Sequence, residues 1–78
     1  MTLPQLTLYT RVGCHLCEAA EDVLRRLPPG RAEVTIVDID QDPALRDRYT
    51  VRVPVVELDG VEIAEYEVDP AALAALLR

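Results

Sequence analysis

Two cysteines, Cys14 and Cys17, stand three positions apart and are the only cysteines in the chain. Closing so short a loop removes little entropy from the unfolded chain, so a bond between them would be a weak structural staple. They stand where a predicted strand passes into a predicted helix, and the free N–H groups of a helix N-terminus stabilise a thiolate and lower its pKa. The pattern therefore predicts thiol chemistry, with Cys14 as the exposed nucleophile and Cys17 as the shielded thiol that resolves a mixed disulfide.

A metal site is the alternative interpretation of this cysteine pair. The single histidine, His15, lies between the two thiols, so one chain cannot complete a tetrahedral zinc site with these residues. A four-thiolate site or an iron–sulfur cluster shared between two chains remains an alternative. His15 itself has two interpretations: a solvated loop residue, or a partial positive charge that favours the thiolate and makes the disulfide more oxidising.

The elements that position the cysteines are predicted from apolar periodicity and from turn residues. In chain order they are a strand at 6–10, a helix at 14–27, a strand at 32–39, a helix at 42–49, strands at 53–58 and 61–66, and a helix from 69 onward. Asp-Pro pairs at 42–43 and 69–70 predict helix starts, and Asp59-Gly60 predicts a hairpin turn. The order β-α-β-α-β-β-α predicts the α/β class, with one mixed four-stranded sheet and helices on its faces.

The same periodicity predicts which side chains are buried. Leu16 is expected to begin the apolar face of the first helix, and Leu73, Leu76 and Leu77 are expected to form the buried stripe of the last. Tyr9 and Tyr66 are expected to fill the core or an edge of the sheet.

Length and composition limit the function classes. A chain of 78 residues, half of them apolar, predicts a single globular domain over 1–78, expected to be a monomer. Fourteen acidic residues against eight arginines give a net charge of −6, so nucleic acid is not an expected partner. No stretch reaches the ~20 apolar residues of a membrane span, and the N-terminus lacks the pattern of a secretion signal. We therefore expect a cytoplasmic protein without membrane contact.

Three runs of residues together resemble the glutaredoxins, and most closely the short glutaredoxin-like proteins of the thioredoxin superfamily. They are 8–17, which contains the cysteine pair, 37–40, and Val53-Pro54-Val55-Val56 with the following Asp59-Gly60. The resemblance implies the thioredoxin fold and disulfide exchange with proteins or small thiols, without a cofactor beyond a thiol reductant. It also implies a cis Pro54 that faces the dithiol, and a backbone at Val53 that pairs with the substrate.

This sequence departs from the glutaredoxin pattern around the substrate. His15-Leu16 replaces Pro-Tyr between the cysteines, Arg52 replaces a Thr, and 63–69 lacks the Gly pair that binds the glutamyl end of glutathione. Arg11 occupies the place of a basic residue that meets a glutathione carboxylate. Arg11 and Arg52 are thus candidate substrate contacts or ordinary surface charges, and glutathione is expected to bind weakly. A non-catalytic module of the same fold, which binds a partner or holds a metal, is the alternative function.

Overall fold

The structure, a computed structural model, describes residues 3–77 of the chain. Its elements follow the predicted order: β1 (Gln5–Thr10), α1 (His15–Arg25), β2 (Glu33–Asp38), a 3₁₀ turn (Ile39–Gln41), α2 (Pro43–Tyr49), β3 (Val55–Leu58), β4 (Val61–Glu65) and α3 (Pro70–Leu76). The 3₁₀ turn was not predicted from the sequence. No helix within 3–77 has the length and apolar character needed to cross a membrane.

The four strands form the predicted mixed sheet, in the spatial order β2-β1-β3-β4. β1 runs parallel to β2 and antiparallel to β3, and β3 forms the antiparallel hairpin with β4. The hairpin turn has both central residues at positive φ, 50° at Asp59 and 85° at Gly60, as a tight two-residue turn requires. A bulge in the β3–β4 ladder between Val56 and Glu57 was not predicted.

Two apolar clusters lie against the sheet. In the large core, α1 and α3 pack on the inward side chains of β1 and β3: Leu6, Leu8, Ala20, Leu24, Val56, Leu73 and Leu77. The second cluster, called here the disulfide cluster, contains both cysteines: Cys17, Ile39, Tyr49, Val53 and Val55, with Tyr9, Cys14 and Leu45 packed against them. The site therefore lies where the start of α1 meets the end of α2 and the loop before β3.

Two predicted core positions are wrong. Leu16 is 46% exposed and Leu76 is 55% exposed. Leu76 lies about 100° around α3 from the buried Leu77, and α3 packs on the sheet along one side only. Leu16, in the first turn of α1, lies about 100° around the helix from its buried neighbour Cys17. Periodicity identified the right helices but overestimated the width of their buried faces.

Capping residues fix where the short helices begin. The Asp42 side chain accepts a hydrogen bond from Ala44 N at 2.9 Å, and the Asp69 side chain accepts one from Ala71 N at 3.0 Å. In both cases proline occupies the first helical position, where its missing N–H costs nothing. Both predicted helix starts are confirmed. The start of α2 also sets the position of its last residue, Tyr49, which is fully buried in the disulfide cluster.

Candidate active site

Cys14 and Cys17 are joined by a disulfide, with their Cα atoms 5.1 Å apart. Cys14 is the N-cap of α1, because its backbone is extended (φ −97°, ψ 110°) while its carbonyl accepts from Glu18 N at 3.0 Å. The sulfur occupies the place of a capping oxygen: Cys14 Sγ accepts from Cys17 N at 3.1 Å. A backbone donor at the positive end of the helix would also stabilise a thiolate on Cys14 once the bond is reduced.

The two sulfurs differ in their access to solvent. Cys17 is 1% exposed and belongs to the buried part of the disulfide cluster, whereas Cys14 is only half-buried at the edge of that cluster. An incoming disulfide can thus approach Cys14 and not Cys17. This difference supports the predicted roles of nucleophile and resolving thiol, which remain a prediction.

The loop before β3 packs against the disulfide. The Val53–Pro54 peptide bond is cis, as the resemblance implied. Val53 is 9% exposed and lies in the disulfide cluster, and Pro54 is fully buried. The Pro54 carbonyl accepts a hydrogen bond from Tyr66 N at 2.7 Å, which fastens this loop to the residue that follows β4.

Arg11 is engaged within the protein. Its guanidinium makes two contacts with the Asp40 carboxylate, 3.2 Å from Nε to Oδ2 and 3.1 Å from Nη2 to Oδ1. Its Nη1 also donates to the carbonyl oxygen of Thr50 at 3.0 Å. Arg11 therefore ties the loop that leads to Cys14 to the 3₁₀ turn and to the end of α2. To bind a substrate carboxylate it would have to release Asp40.

Arg52 is also paired, on the other side of the cluster. Its Nε donates to Glu65 at 3.0 Å, and its Nη2 forms an ion pair with Glu62. The guanidinium carbon lies 5.8 Å from the centre of the Tyr49 ring. The hydrogen bond that Arg52 donates to Glu65 raises the pKa of Arg52 above its ordinary value. Arg52 thus connects the segment before the cis proline to β4.

His15 is the most exposed of the predicted site residues. Its side chain is 97% exposed, and Nδ1 lies 3.5 Å from Glu18 Oε2 in the same first helical turn. The structure therefore brings together Cys14, Cys17, Val53 and Pro54. Arg11 and Arg52 are paired with carboxylates around them, and the His15 side chain is exposed near Glu18. What any of these residues does for a substrate remains a prediction.

Sequence reasoning missed a polar group next to the disulfide cluster. The rings of Tyr9 and Tyr49 stack with their centroids 4.6 Å apart, and both hydroxyls donate to the carboxylate of Glu57, at 3.0 Å from Tyr9 and 3.4 Å from Tyr49. Burial and the bond to Glu57 raise the pKa of Tyr9 to about 12, and burial also raises that of Tyr49. The available signal was a single acid inside the apolar strand β3, two residues after Val55 and therefore on the same face of the sheet.

This chain has relatives of similar length among known proteins. Residues 5–78 match the family model described as Glutaredoxin-like domain (DUF836). Two relatives, Uncharacterized protein Rv0508 of Mycobacterium tuberculosis and Uncharacterized protein Mb0520 of Mycobacterium bovis, are each 36% identical over 81 residues, which cover 96% of this chain and 84% of each relative.

Solved structures with the same architecture were also found. Protein XcR50 from X. campestris is 40% identical with a TM-score of 0.75, over 92% of this chain and 93% of that one. A mutant thioredoxin from Halobacterium salinarum NRC-1 is 30% identical with a TM-score of 0.72, over 97% of this chain and 73% of that one.

Proposed function

Since the chain belongs to the glutaredoxin-like domain family and has the thioredoxin fold, we propose that it is a thiol–disulfide oxidoreductase that reacts through Cys14 and Cys17. The observation that carries this proposal is the asymmetry of the disulfide. One sulfur caps α1 at the edge of its cluster, and the other is buried one helical turn further along. A pair that served only to crosslink the chain would need no such difference in access.

The reduced protein begins the reaction. The Cys14 thiolate attacks one sulfur of a substrate disulfide, forms a mixed disulfide and releases the first substrate thiolate, which takes a proton from water. The Cys17 sulfur, as thiolate, then attacks Cys14 Sγ and releases the second substrate thiolate. Two electrons have passed to the substrate, and the protein is left with the Cys14–Cys17 disulfide. Two equivalents of a monothiol, or one dithiol protein, return it to the reduced state.

The site's charge favours some substrates over others. Disulfide-bonded proteins are the proposed substrates, and glutathione mixed disulfides are proposed to be poor ones. The tripeptide carries a net negative charge, and the connection between β4 and α3 is acidic where close approach would need glycine. Arg11 and Arg52 already hold Asp40, Glu62 and Glu65.

Trapping the mixed disulfide tests the mechanism. Cys17→Ser leaves no thiol to resolve the first intermediate, so exposure to oxidised glutathione or to a disulfide-bonded protein should yield a long-lived adduct on Cys14, seen by intact mass. Cys14→Ser is the matched control and should form no such adduct. A redox titration of the unaltered protein completes the test. A non-catalytic module would give no adduct with Cys17→Ser. An oxidoreductase should titrate as a reversible two-electron couple near those of its relatives, which a non-catalytic module need not do.

A further inference from the structure

A groove runs along α1 from Leu16, a residue between the two cysteines. It encloses about 240 Å³ between four α1 side chains, from Leu16 to Val23, and three residues of the β4–α3 connection, Tyr66, Glu67 and Val68. We call it the α1 groove. Its lining is apolar except for Glu67. Two of its large apolar side chains face solvent, since Leu16 is 46% exposed and Tyr66 is 41% exposed.

The lining of the α1 groove begins next to the two cysteines in the sequence. Leu16 lies between the two cysteines, and the Tyr66 backbone is bonded to the Pro54 carbonyl in the loop that packs on them. From Leu16 to Val23 the helix rises about 10 Å, which is the length of about three residues of extended chain. A polypeptide whose cysteine sulfur reaches Cys14 can therefore lay its next two or three residues in the groove.

Tyr66 is held in a conformation that a side chain rarely adopts. Its φ is +66°, in the left-handed region that ordinarily favours glycine or asparagine. This conformation costs a tyrosine about 1 kcal/mol or more. The hydrogen bond from its N–H to Pro54 accompanies this conformation, and the ring becomes the outer wall of the groove. Strain of this kind concentrates where a side chain has to be presented to a ligand.

Charge indicates which segment fits. None of the seven lining residues, all within 3–77, is basic. Glu67 makes no ion pair in the described part of the chain, whereas Glu65 beside it is neutralised by Arg52. The chain as a whole carries a net charge of −6. A bound segment with a positive side chain next to an apolar one complements both the apolar lining and its single acidic residue.

We infer that the α1 groove selects substrates: it binds an extended segment of a disulfide-bonded protein in which an apolar residue adjoins the reacting cysteine and a Lys or Arg follows within three residues. This inference rests on the proposed function and names the substrate class of that site. In this arrangement Leu16 and Tyr66 contact the apolar residue of the substrate, and Glu67 pairs with its Lys or Arg. Catalysis of exchange itself needs neither contact.

The test compares rates of reduction by the full reduced chain for three symmetrical peptide disulfides. One peptide has Cys-Leu followed by Lys, the second has Cys-Leu followed by Glu, and the third has Cys-Ser followed by Lys. Bis(2-hydroxyethyl) disulfide, which is too short to extend along the groove while its sulfur reacts with Cys14, reports the rate of exchange without groove contacts. We expect the Leu–Lys peptide to react at least about threefold faster than either of the others, with the Lys-over-Glu preference shrinking as salt is raised.

Variants separate the two parts of the groove. Glu67→Lys should lower the Lys-over-Glu rate ratio by at least about threefold, whereas Asp47→Lys, an equal change of charge on α2 outside the lining, should leave that ratio unchanged. Tyr66→Gly suits the left-handed backbone and should lower the Leu-over-Ser ratio. Each readout is a ratio within one protein, so a loss of folded protein cancels.

Three results would overturn the inference, and they are distinguishable. Equal rates for the three peptides, together with normal reduction of the small disulfide, would remove the groove's role and leave the oxidoreductase proposal intact. Failure to reduce any of the four disulfides would remove both. Ratios that change equally in Glu67→Lys and Asp47→Lys would reduce the preference to an effect of net charge, which also contradicts the inference.

Discussion

Removing the hydroxyl of Tyr9 should destabilise the protein more than removing that of Tyr49. Tyr9→Phe keeps the stacked ring and deletes the 3.0 Å bond to the Glu57 carboxylate, whereas Tyr49→Phe deletes one of 3.4 Å. A bond to a charged group contributes about 1.5–3 kcal/mol when buried. Glu57 is only half-buried and keeps its second phenol. We therefore expect a loss of about 1–2 kcal/mol for Tyr9→Phe and less than about 1 kcal/mol for Tyr49→Phe.

Urea denaturation at neutral pH, with the disulfide intact in every variant, measures both free energies of unfolding. In a domain of this size the Tyr9→Phe loss corresponds to a melting temperature lower by about 5–15 °C. Glu57→Gln closes a double-mutant cycle with Tyr9→Phe and isolates the bond from changes in packing. A Tyr9→Phe variant within about 0.5 kcal/mol of the unaltered protein, or one more stable than Tyr49→Phe, would refute the reasoning.

Three further predictions concern the same region. Alkylation of the reduced protein at neutral pH should label Cys14 much faster than the 1%-exposed Cys17, by peptide mass; equal rates would contradict the assigned roles. Because the pKa of Tyr9 is about 12 in the folded protein against 10.0 in the unfolded chain, the stability that the protonated Tyr9 hydroxyl contributes is complete below pH 10 and should be lost between pH 10 and 12. Denaturant titrations at several pH values should show a loss of up to about 2 kcal/mol over this range, and a flat profile there would contradict the prediction. Reduction of a small glutathione mixed disulfide should be much slower than by a typical dithiol glutaredoxin, because acids replace the Gly pair within 62–69; rates within a few-fold would contradict this.

Structural features that depend on residues close together in the chain were predictable from the sequence. The order of elements follows from apolar periodicity within each segment, whereas both Asp-Pro helix starts and the Asp59-Gly60 turn depend on two adjacent residues; all are confirmed. The 14–27 helix proved shorter at both ends, because Cys14 adopts the extended backbone of a cap and α1 ends before Pro28. The predicted strand at 53–58 begins only at Val55, after the cis proline.

Contacts between distant residues were not predictable in the same way. The Tyr9–Glu57 bond joins residues 48 positions apart, and the bond from Arg11 to Asp40 spans 29. The first needs β3 paired with β1, and the second needs β2 and the 3₁₀ turn in place beside β1, before the partners meet. Composition says that fourteen acids and eight arginines are present, but only the fold decides which acid holds which arginine. The sequence thus identified Arg11 and Arg52 as candidates and could not identify their partners.

Those partners determine where substrate specificity can come from. An incoming carboxylate at Arg11 would replace that of Asp40, and the protein would exchange one exposed ion pair for another of about 0–1 kcal/mol. The same exchange applies to Arg52 with Glu62 and Glu65, so neither arginine gives a carboxylate ligand a large net gain. Substrate selection must then depend on charged side chains that are not already paired within the protein. Among the residues lining the α1 groove that side chain is Glu67, and it favours a cationic segment of a protein over an anionic tripeptide.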